Sequence, residues 1–325
     1  MIESLIAKIK NLKSDDFDDL AIELFQWQAR NIPVYKTYIE YLNIDVNGVK
    51  RINDIPFLPV SFFKTHQVSQ DDNYEKIFKS SGTSKQKRSQ HFVKNLDLYH
   101  HSILNGFEGV FGKPNNFTYL GLLPNYIEQG DSSLIHMVNY LMSCSNKPDN
   151  GYYLNDYKKL NETLERLRLT NEKTILIGVT YALLDFIEKH PLNFPNLIIL
   201  ETGGMKGRKT EMIKTEVLAL LKQGFRSNHI YSEYGMTEML SQAYAKENKY
   251  VPSSTMKIVL RDIQDPFLKG LNQGGINVID LSNIYSCAFI ETMDLGKLIA
   301  DNQFEILGRF DHAEIRGCNL MVSNI

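Results

Sequence analysis

Apolar positions divide this chain before any motif does. In residues 1–12, Leu5, Ile6, Ile9 and Leu12 recur at helical spacing, as do Leu20, Ile22, Leu24, Phe25 and Trp27 in residues 15–30. Two helices are predicted there. Ser14 stands as the N-cap of the second, with Asp15 and Asp16 in a first turn where carboxylates suit the helix dipole. Phe17 takes the place of the Glu or Gln of a full capping box. Pro33 suits the first turn of a third helix over 33–43. Residues 52–68 are apolar with two prolines and read as an extended connector with a short strand or helical turn. Ile77, Phe78 and Lys79 lead into a Ser/Gly/Lys stretch, and Phe92 and Val93 follow it as a strand. The stretch is therefore predicted to be a hairpin-like connection. Residues 95–111 read as a helix, capped by Asn95 or Asp97.

From residue 117 the pattern alternates. Strands are predicted over 117–126, 174–179, 196–200 and 230–231. Helices are predicted from Asp131 or Ser132 onward, and over 160–169, 181–189 and 209–221. TILIGV and NLIIL are continuous apolar runs, as expected of strands buried on both faces. The fold class is α/β, with a mostly parallel sheet flanked by helices. Ligands in such sheets bind at the carboxyl ends of strands, where the loops beginning at Glu201 and Ser232 fall. After residue 245 the texture becomes short β-like segments, at 256–260, 275–281 and 286–291, and on either side of a turn at 308–311. The expected organisation is an α/β core with N-terminal helices over 1–245 and a small β-rich C-terminal module over 246–325.

Composition narrows the function classes. The 325 residues are 43% hydrophobic and 23% charged, as in an ordinary globular protein of about two domains or one large α/β domain with an appendage. A net charge of -2 gives no reason to invoke nucleic acid or an anionic membrane. Charges throughout the N-terminal stretch argue against a secretory signal, and no long apolar run reads as a membrane span. Cys144, Cys287 and Cys318 lie far apart, without a CxxC pair or zinc spacing, which fits a reducing cytoplasm. Cys144 and Cys287 read as packing residues.

Four segments carry candidate chemistry. The first is FKSSGTSKQKRSQ at 78–90. Ser80, Ser81, Gly82, Thr83 and Ser84 offer hydroxyls and a pliant backbone, and Lys85, Lys87 and Arg88 add positive charge. Such a loop can surround a polyphosphate with hydrogen-bond donors. It lacks Walker spacing, and alone it is equally a solvated turn. The second is ETGGMKG at 201–207, where Gly203 and Gly204 let the backbone pass close to a flat ligand. The third is SEYGMTE at 232–238, with Tyr234, Gly235, Thr237 and Glu238 in a row. The fourth joins TMDLG at 292–296 to GRFDHAEIRG at 308–317. Singly, Gly203-Gly204 is a turn, Glu238 a surface carboxylate, Asp294 a turn cap and Arg309 a partner for Asp311.

Together and in this order, the segments resemble the adenylate-forming superfamily of acyl-CoA ligases and luciferases. The resemblance covers roughly residues 60 to 318. It implies that the first loop holds the phosphates of ATP and that Gly203 and Gly204 border the adenine. Thr237 would contact phosphate and Glu238 would hold Mg2+. Asp294 would grip the ribose hydroxyls, and Arg309 would place a cation near ribose or phosphate at a hinge-like segment. Within the superfamily the chain looks most like the LuxE-type acyl-protein synthetases, related to the phenylacetate-CoA ligase branch. YIEQGDSSLIHMV at 126–138 and the ending EIRGCNLMVS at 314–323 carry that likeness. It implies that a carboxylic acid, a fatty acid by family, is activated as acyl-AMP and passed to Cys318. His312 and Arg316 lie nearby in sequence to lower that thiol's pKa. Read without the resemblance, Cys318 is a small buried apolar residue.

The chain departs from the superfamily in two ways. Ser84-Lys85-Gln86-Lys87 replaces the usual Thr-Gly-x-Pro-like continuation of the phosphate loop. The expectation is that the lysine-bearing small domain, about a hundred residues in most members, is truncated or absent. Lys85 and Lys87 are then the nearest candidates to carry phosphate charge. The acid would sit near residues 121–129, 178–181 and 201–204. His136 falls inside the LuxE-like segment, and otherwise reads with His100 and His101 as a helix-face residue. Two alternatives remain. One is transfer to an external thiol, coenzyme A or a carrier protein. The other is a non-catalytic nucleotide- or acyl-binding subunit. An acyl-reductase or acyl-carrier partner is implied by the resemblance alone.

Overall fold

The computed structural model describes residues 2–81, 87–124, 130–203, 212–300 and 303–310. The chain opens with helices α1 (Ile2–Lys10), α2 (Phe17–Asn31) and α3 (Pro33–Tyr41). Strand β1 (Leu58–Pro59) and helix α4 (Phe62–Thr65) form the connector. Strands β2 (Lys76–Lys79) and β3 (Gln90–Val93) pair antiparallel as a separate hairpin around the Ser/Gly/Lys loop. Helix α5 (Leu96–Phe111) begins where the Asn95 side chain accepts a bond from the Leu98 N–H at 3.2 Å. Of the two caps proposed for it, Asn95 is the one used.

The alternating region follows the predicted order. It runs β4 (Thr118–Leu122), α6 (Ser133–Ser145), β5 (Gly151–Tyr152), α7 (Tyr157–Leu169), β6 (Thr174–Val179), α8 (Thr180–Lys189), β7 (Ile198–Thr202), α9 (Lys214–Phe225) and β8 (Ile230–Tyr234). Ser132, not Asp131, caps α6. These strands lie parallel in the order β5-β4-β6-β7-β8. All six residues of β6 are buried, which accounts for its unbroken apolar run.

The later strands extend this sheet. They are β9 (Ala243–Lys246), β10 (Lys249–Pro252), β11 (Met256–Arg261), β12 (Gln273–Asp280), β13 (Phe289–Ala300) and β14 (Gln303–Arg309). The whole is twelve-stranded and mixed: beyond β8 the order is β9-β10-β14-β13-β12-β11, all antiparallel, and β1 pairs parallel with β13. The expected division after residue 245 falls inside β9, and the sheet crosses it without a break. The N-terminal helices also pack on the later strands. Leu24, Phe25, Tyr35, Leu260, Ile279 and Phe289 share one buried cluster. The other draws mainly on α5 to α9, β4, β6 and β7, with Phe107, Leu120, Leu176, Leu183 and Phe225 among them, and also takes in Phe78, Val93, Ile230, Leu240 and Tyr244.

Other local expectations change as well. Ser14–Asp16 is a separate 3-10 turn, and α2 starts at Phe17 with no side-chain cap bond. Strand β13 is twelve residues long and carries Asp294 inside it, not in a turn. The helix predicted over 209–221 runs Lys214–Phe225, and residues 209–211 lie outside the described residues.

One contact ties the N-terminal helices to the later strands. The Gln28 side chain on α2 is fully buried. Its amide donates to the Asn283 and Ile284 carbonyls, each at 2.9 Å, and its oxygen accepts from the Ala288 N–H at 2.9 Å. Gln28→Ala leaves the Ile284 carbonyl and the Ala288 N–H without that partner, while the Asn283 carbonyl keeps the Ser286 N–H at 3.3 Å. It is expected to lower the unfolding free energy by about 2 kcal/mol or more, read from urea denaturation at an unchanged slope.

Candidate functional site

The hairpin β2–β3 sets the neck of the Ser/Gly/Lys loop. Past the Lys79–Gln90 pair, the Ser80 N–H donates to the Ser89 carbonyl at 3.0 Å. The Ser89 N–H donates in return to Ser80 Oγ at 2.9 Å. Arg88 turns back on its own hairpin: Nη2 donates to the Lys79 carbonyl at 3.2 Å, and Nε donates to the Ser80 carbonyl. Lys79 pairs with Asp131 at 3.2 Å. So Arg88 braces the neck. Ser81 is half-buried and Lys87 exposed at the two edges of the loop. Gly82, Thr83, Ser84 and Lys85 lie outside the described residues.

The neck meets the end of β8. Glu238 is buried, and a hydrogen bond joins it to Ser89. Burial pushes its carboxyl pKa up, while the Ser89 bond and the nearby charges of Arg309 and Lys64 pull it back toward ionisation. Tyr234 is buried at the end of β8 and donates its hydroxyl to Asp294 Oδ2 at 2.8 Å. Asp294 on β13 lies opposite Arg309 on β14, with Arg309 Nε 3.9 Å from Asp294 Oδ1. The register of these two strands shifts beside Asp294, between Leu295 and Gly296. Such irregularities re-aim side chains next to sites.

The turn carrying Thr237 and Glu238 is held from behind by residues that the motifs did not single out. His91 on β3 is buried, with Nδ1 2.9 Å from the Thr237 carbonyl and Nε2 2.9 Å from Asn283 Oδ1. Asn283 donates to the Glu238 carbonyl at 2.8 Å and the Cys287 carbonyl at 3.0 Å. Two carbonyl partners fix which end of the amide is the NH2, so both ring nitrogens of His91 face acceptors. An imidazolium satisfies both and a neutral ring one. Burial opposes the charge and pushes the imidazole pKa down to about 4.

Gly203 closes β7 with φ at 72°, a conformation glycine adopts freely, and its carbonyl accepts from the Thr180 hydroxyl at 3.1 Å. Gly204 lies outside the described residues. Around Gly203 is a second set of charges absent from the motif reading. Glu201 accepts from the Thr180 hydroxyl at 2.7 Å and pairs with Lys214. Glu233 accepts from the Thr202 hydroxyl at 2.5 Å. Removal from water pushes the Glu233 carboxyl up to about 7, against the Thr202 bond and the Lys214 charge. It likewise pulls the Lys214 ammonium down to about 8, against the charge of Glu233. The signal available in sequence was a glutamate next to the last residue of each of two neighbouring strands.

The structure thus brings Ser80, Ser89, Tyr234, Glu238, Asp294 and Arg309 into one connected set, with Gly235 and Thr237 in the turn between and Gly203 on the adjoining strand. Cys318 lies outside the described residues, as do His312 and Arg316. Cys287 is a packing residue, as expected: it is fully buried, and burial pushes its thiol up to about 12. Cys144 is half-buried on α6. His136 stands with Phe78 and Tyr99, its Nε2 3.0 Å from His100 Nε2.

These donors fit a magnesium nucleotide. Asp294 offers acceptors for a ribose diol, and Arg309 and Lys64 offer cations beside Glu238. No three His, Cys, Asp or Glu side chains form a metal cage among the described residues. A cation at Glu238 would therefore take most of its ligands from phosphate oxygens and water, which is how magnesium is commonly held.

Solved structures share this architecture. One is a 2-hydroxyisobutyryl-CoA ligase in its postadenylation state in complex with R3-HIB-AMP: TM-score 0.66 at 11% identity, covering 94% of this chain and 70% of that one. The chain shares the fold of adenylate-forming ligases. A structure from the fatty acyl-adenylate ligases of E. coli and L. pneumophila matches at TM-score 0.52 and 12% identity, over 75% of this chain and 54% of that one. O-succinylbenzoate coenzyme A synthetase from Bacillus subtilis, in complex with ATP and magnesium ion, matches at 0.50 and 16%, over 74% and 51%. The chain therefore spans 70% of the first and about half of the other two. No protein-family model and no curated protein matches it. In the ligase fold, the set described above lies at the carboxyl ends of β7 and β8, where α/β sheets bind ligands. No helix among the described residues is long and apolar enough to cross a membrane.

Glu233 gives this region a pH signature. Its folded pKa of about 7 lies above the ordinary 4.5, so between those values the folded state holds a proton that the unfolded state has lost. Stability must therefore fall as pH rises through that window. Glu233→Gln keeps an acceptor for Thr202 and removes the titration. The variant is expected to gain stability relative to the parent between pH 5 and pH 8, measured by urea midpoints. A constant difference would rule out the raised pKa.

Proposed function

We propose that this chain activates a carboxylic acid with ATP, forming acyl-AMP and pyrophosphate. The observation that carries the reading is one chain of contacts on a ligase fold. The phosphate-loop neck touches Glu238 through Ser89, while Tyr234 and Arg309 flank Asp294. ATP binding needs these parts near one another: a phosphate cradle, a carboxylate for magnesium and an acceptor for the ribose.

A carboxylate is a poor acyl donor because its leaving group is oxide. Attack by the carboxylate oxygen on the α-phosphorus forms an acyl–phosphate bond and breaks the bond to pyrophosphate. This in-line displacement needs alignment and charge neutralisation more than covalent help. Magnesium bound at Glu238 would supply part of that neutralisation. Ser80 and Ser81 lead into the loop whose Gly82, Thr83, Ser84 and Lys85 are assigned to the phosphates. Lys85 and Lys87 carry compensating charge, and Thr237 donates a hydrogen bond to phosphate. Asp294 orients the ribose, held by Tyr234. Arg309 adds charge beside it. Gly203 and Gly204 border the adenine.

For the second half-reaction, the LuxE-type resemblance supports Cys318 as acceptor. The thiolate attacks the acyl carbon, a thioester forms and AMP leaves with the bonding pair. An acyl-reductase or acyl-carrier protein would then receive the acyl group. An external thiol has its own support, because the ligase matching 94% of this chain is named a CoA ligase.

The test is carboxylate-dependent exchange of pyrophosphate into ATP with a panel of fatty and aromatic acids. Exchange is expected with at least one. Absence of exchange with all of them, despite ATP binding, refutes activation in favour of a binding subunit. Asp294→Ala is expected to lower kcat/KM for ATP about 10- to 100-fold, the cost of hydrogen bonds to a charged group. Lys85→Ala and Lys87→Ala should each raise the ATP requirement. Mass spectrometry after incubation with ATP and acid should find the acyl group on Cys318. Cys318→Ser that still makes external thioester at the parent rate assigns the acceptor role to the external thiol.

A further inference from the structure

We propose that His91 and Asn283 are positioning residues for the Thr237–Glu238 turn, locking the magnesium carboxylate to the exit strand of the phosphate loop. The inference rests on the nucleotide-binding part of the proposed function and goes beyond it, since neither residue belongs to a motif.

Strand β3 and the residue before it leave the loop and reach that turn twice within three residues. Ser89 bonds to the Glu238 carboxylate, and the His91 ring meets the Thr237 carbonyl. Asn283, from the turn after β12, closes the loop of contacts by donating to the Glu238 carbonyl and facing His91 Nε2. The Phe63 ring stands perpendicular to His91 with centroids 5.8 Å apart, which restricts ring rotation. Phe63, Ser89, His91, Glu238 and Asn283 are all buried, and Thr237 is half-buried. Turn and hairpin neck therefore share one anchor, and β3 sets how the Glu238 carboxylate sits against the neck at Ser89. Partners that orient metal ligands from outside the coordination sphere typically alter metal affinity 10- to 100-fold when removed.

The experiment compares Mg2+·ATP and AMP binding by calorimetry in the full chain and in His91→Ala, His91→Gln and Asn283→Ala. AMP needs the ribose and adenine contacts but not Glu238, so its binding reports an intact fold. The expected result is Mg2+·ATP affinity about 10-fold weaker in both alanine variants, with AMP affinity unchanged. His91→Gln, which keeps one amide donor, should recover part of the loss. Equal weakening of both ligands overturns the proposal, as does full Mg2+·ATP affinity in His91→Ala. Failure of the unmodified chain to bind Mg2+·ATP also overturns it. If the expected split is seen but no acid drives pyrophosphate exchange, the positioning role stands and acid activation falls.

Discussion

The pairing of polar groups in one buried turn, residues 281–288, is the constraint on which the candidate site depends. A backbone turn away from water must find a partner for each N–H and C=O. Here the partners come from four separate parts of the chain. Gln28 of α2 takes two carbonyls and one N–H. The Gln70 N–H donates to the Tyr285 carbonyl at 2.9 Å, and the Ser286 hydroxyl donates to the Val68 carbonyl at 2.6 Å. Asn283 reaches His91 and the Glu238 carbonyl. At the start of the turn, the buried Asp280 carboxylate accepts from the Leu240, Ser241 and Ser282 N–H groups and the Ser241 hydroxyl. Satisfying this turn therefore assembles the N-terminal helices, the connector, the loop hairpin and the residues after β8.

The site sits where the two halves of the sheet change character. Up to β8 the strands are parallel and their crossovers are helices. After Tyr234 the chain returns through residues 235–242, without a helix, to the antiparallel β9. That short return is the Gly235–Glu238 segment. The two buried clusters meet at the same place: Tyr234 and Ala243 belong to the first, Leu240 and Tyr244 to the second. A rigid seam between two cores holds functional groups more firmly than an exposed loop does.

Charge is concentrated here against the local interest of stability. Glu201, Glu233, Glu238 and Asp294 all gather near the carboxyl ends of β7, β8 and the adjoining strands, where taking carboxylates out of water is costly. The raised pKa directions of Glu233 and Glu238 express that cost, and Lys214, Arg309 and Lys64 offset part of it. A cluster that would relax if neutralised is the kind of feature that functional sites retain.

Local patterns in the sequence determined much of the outline. The burial of β6 was legible in six apolar residues, and the caps of α5 and α6 in Asn95 and Ser132, because burial on both faces and helix ends act on neighbouring residues. Glu238, Asp294 and Arg309 were singled out by the order of the motifs together with the family resemblance, and the fold brings them together. The β9–β10 hairpin was not. Its turn places Glu247 and Asn248 at φ of 55° and 64° without a glycine, so the usual signal was missing. Nor was the continuity of the sheet past residue 245, since strand order is decided by which faces can be buried together. Tyr234 and Asp294 are 60 residues apart and His91 and Thr237 146 apart. No spacing rule reaches that far. Their meeting follows only when twelve strands have taken their places and the backbone groups of the buried turn have found their partners.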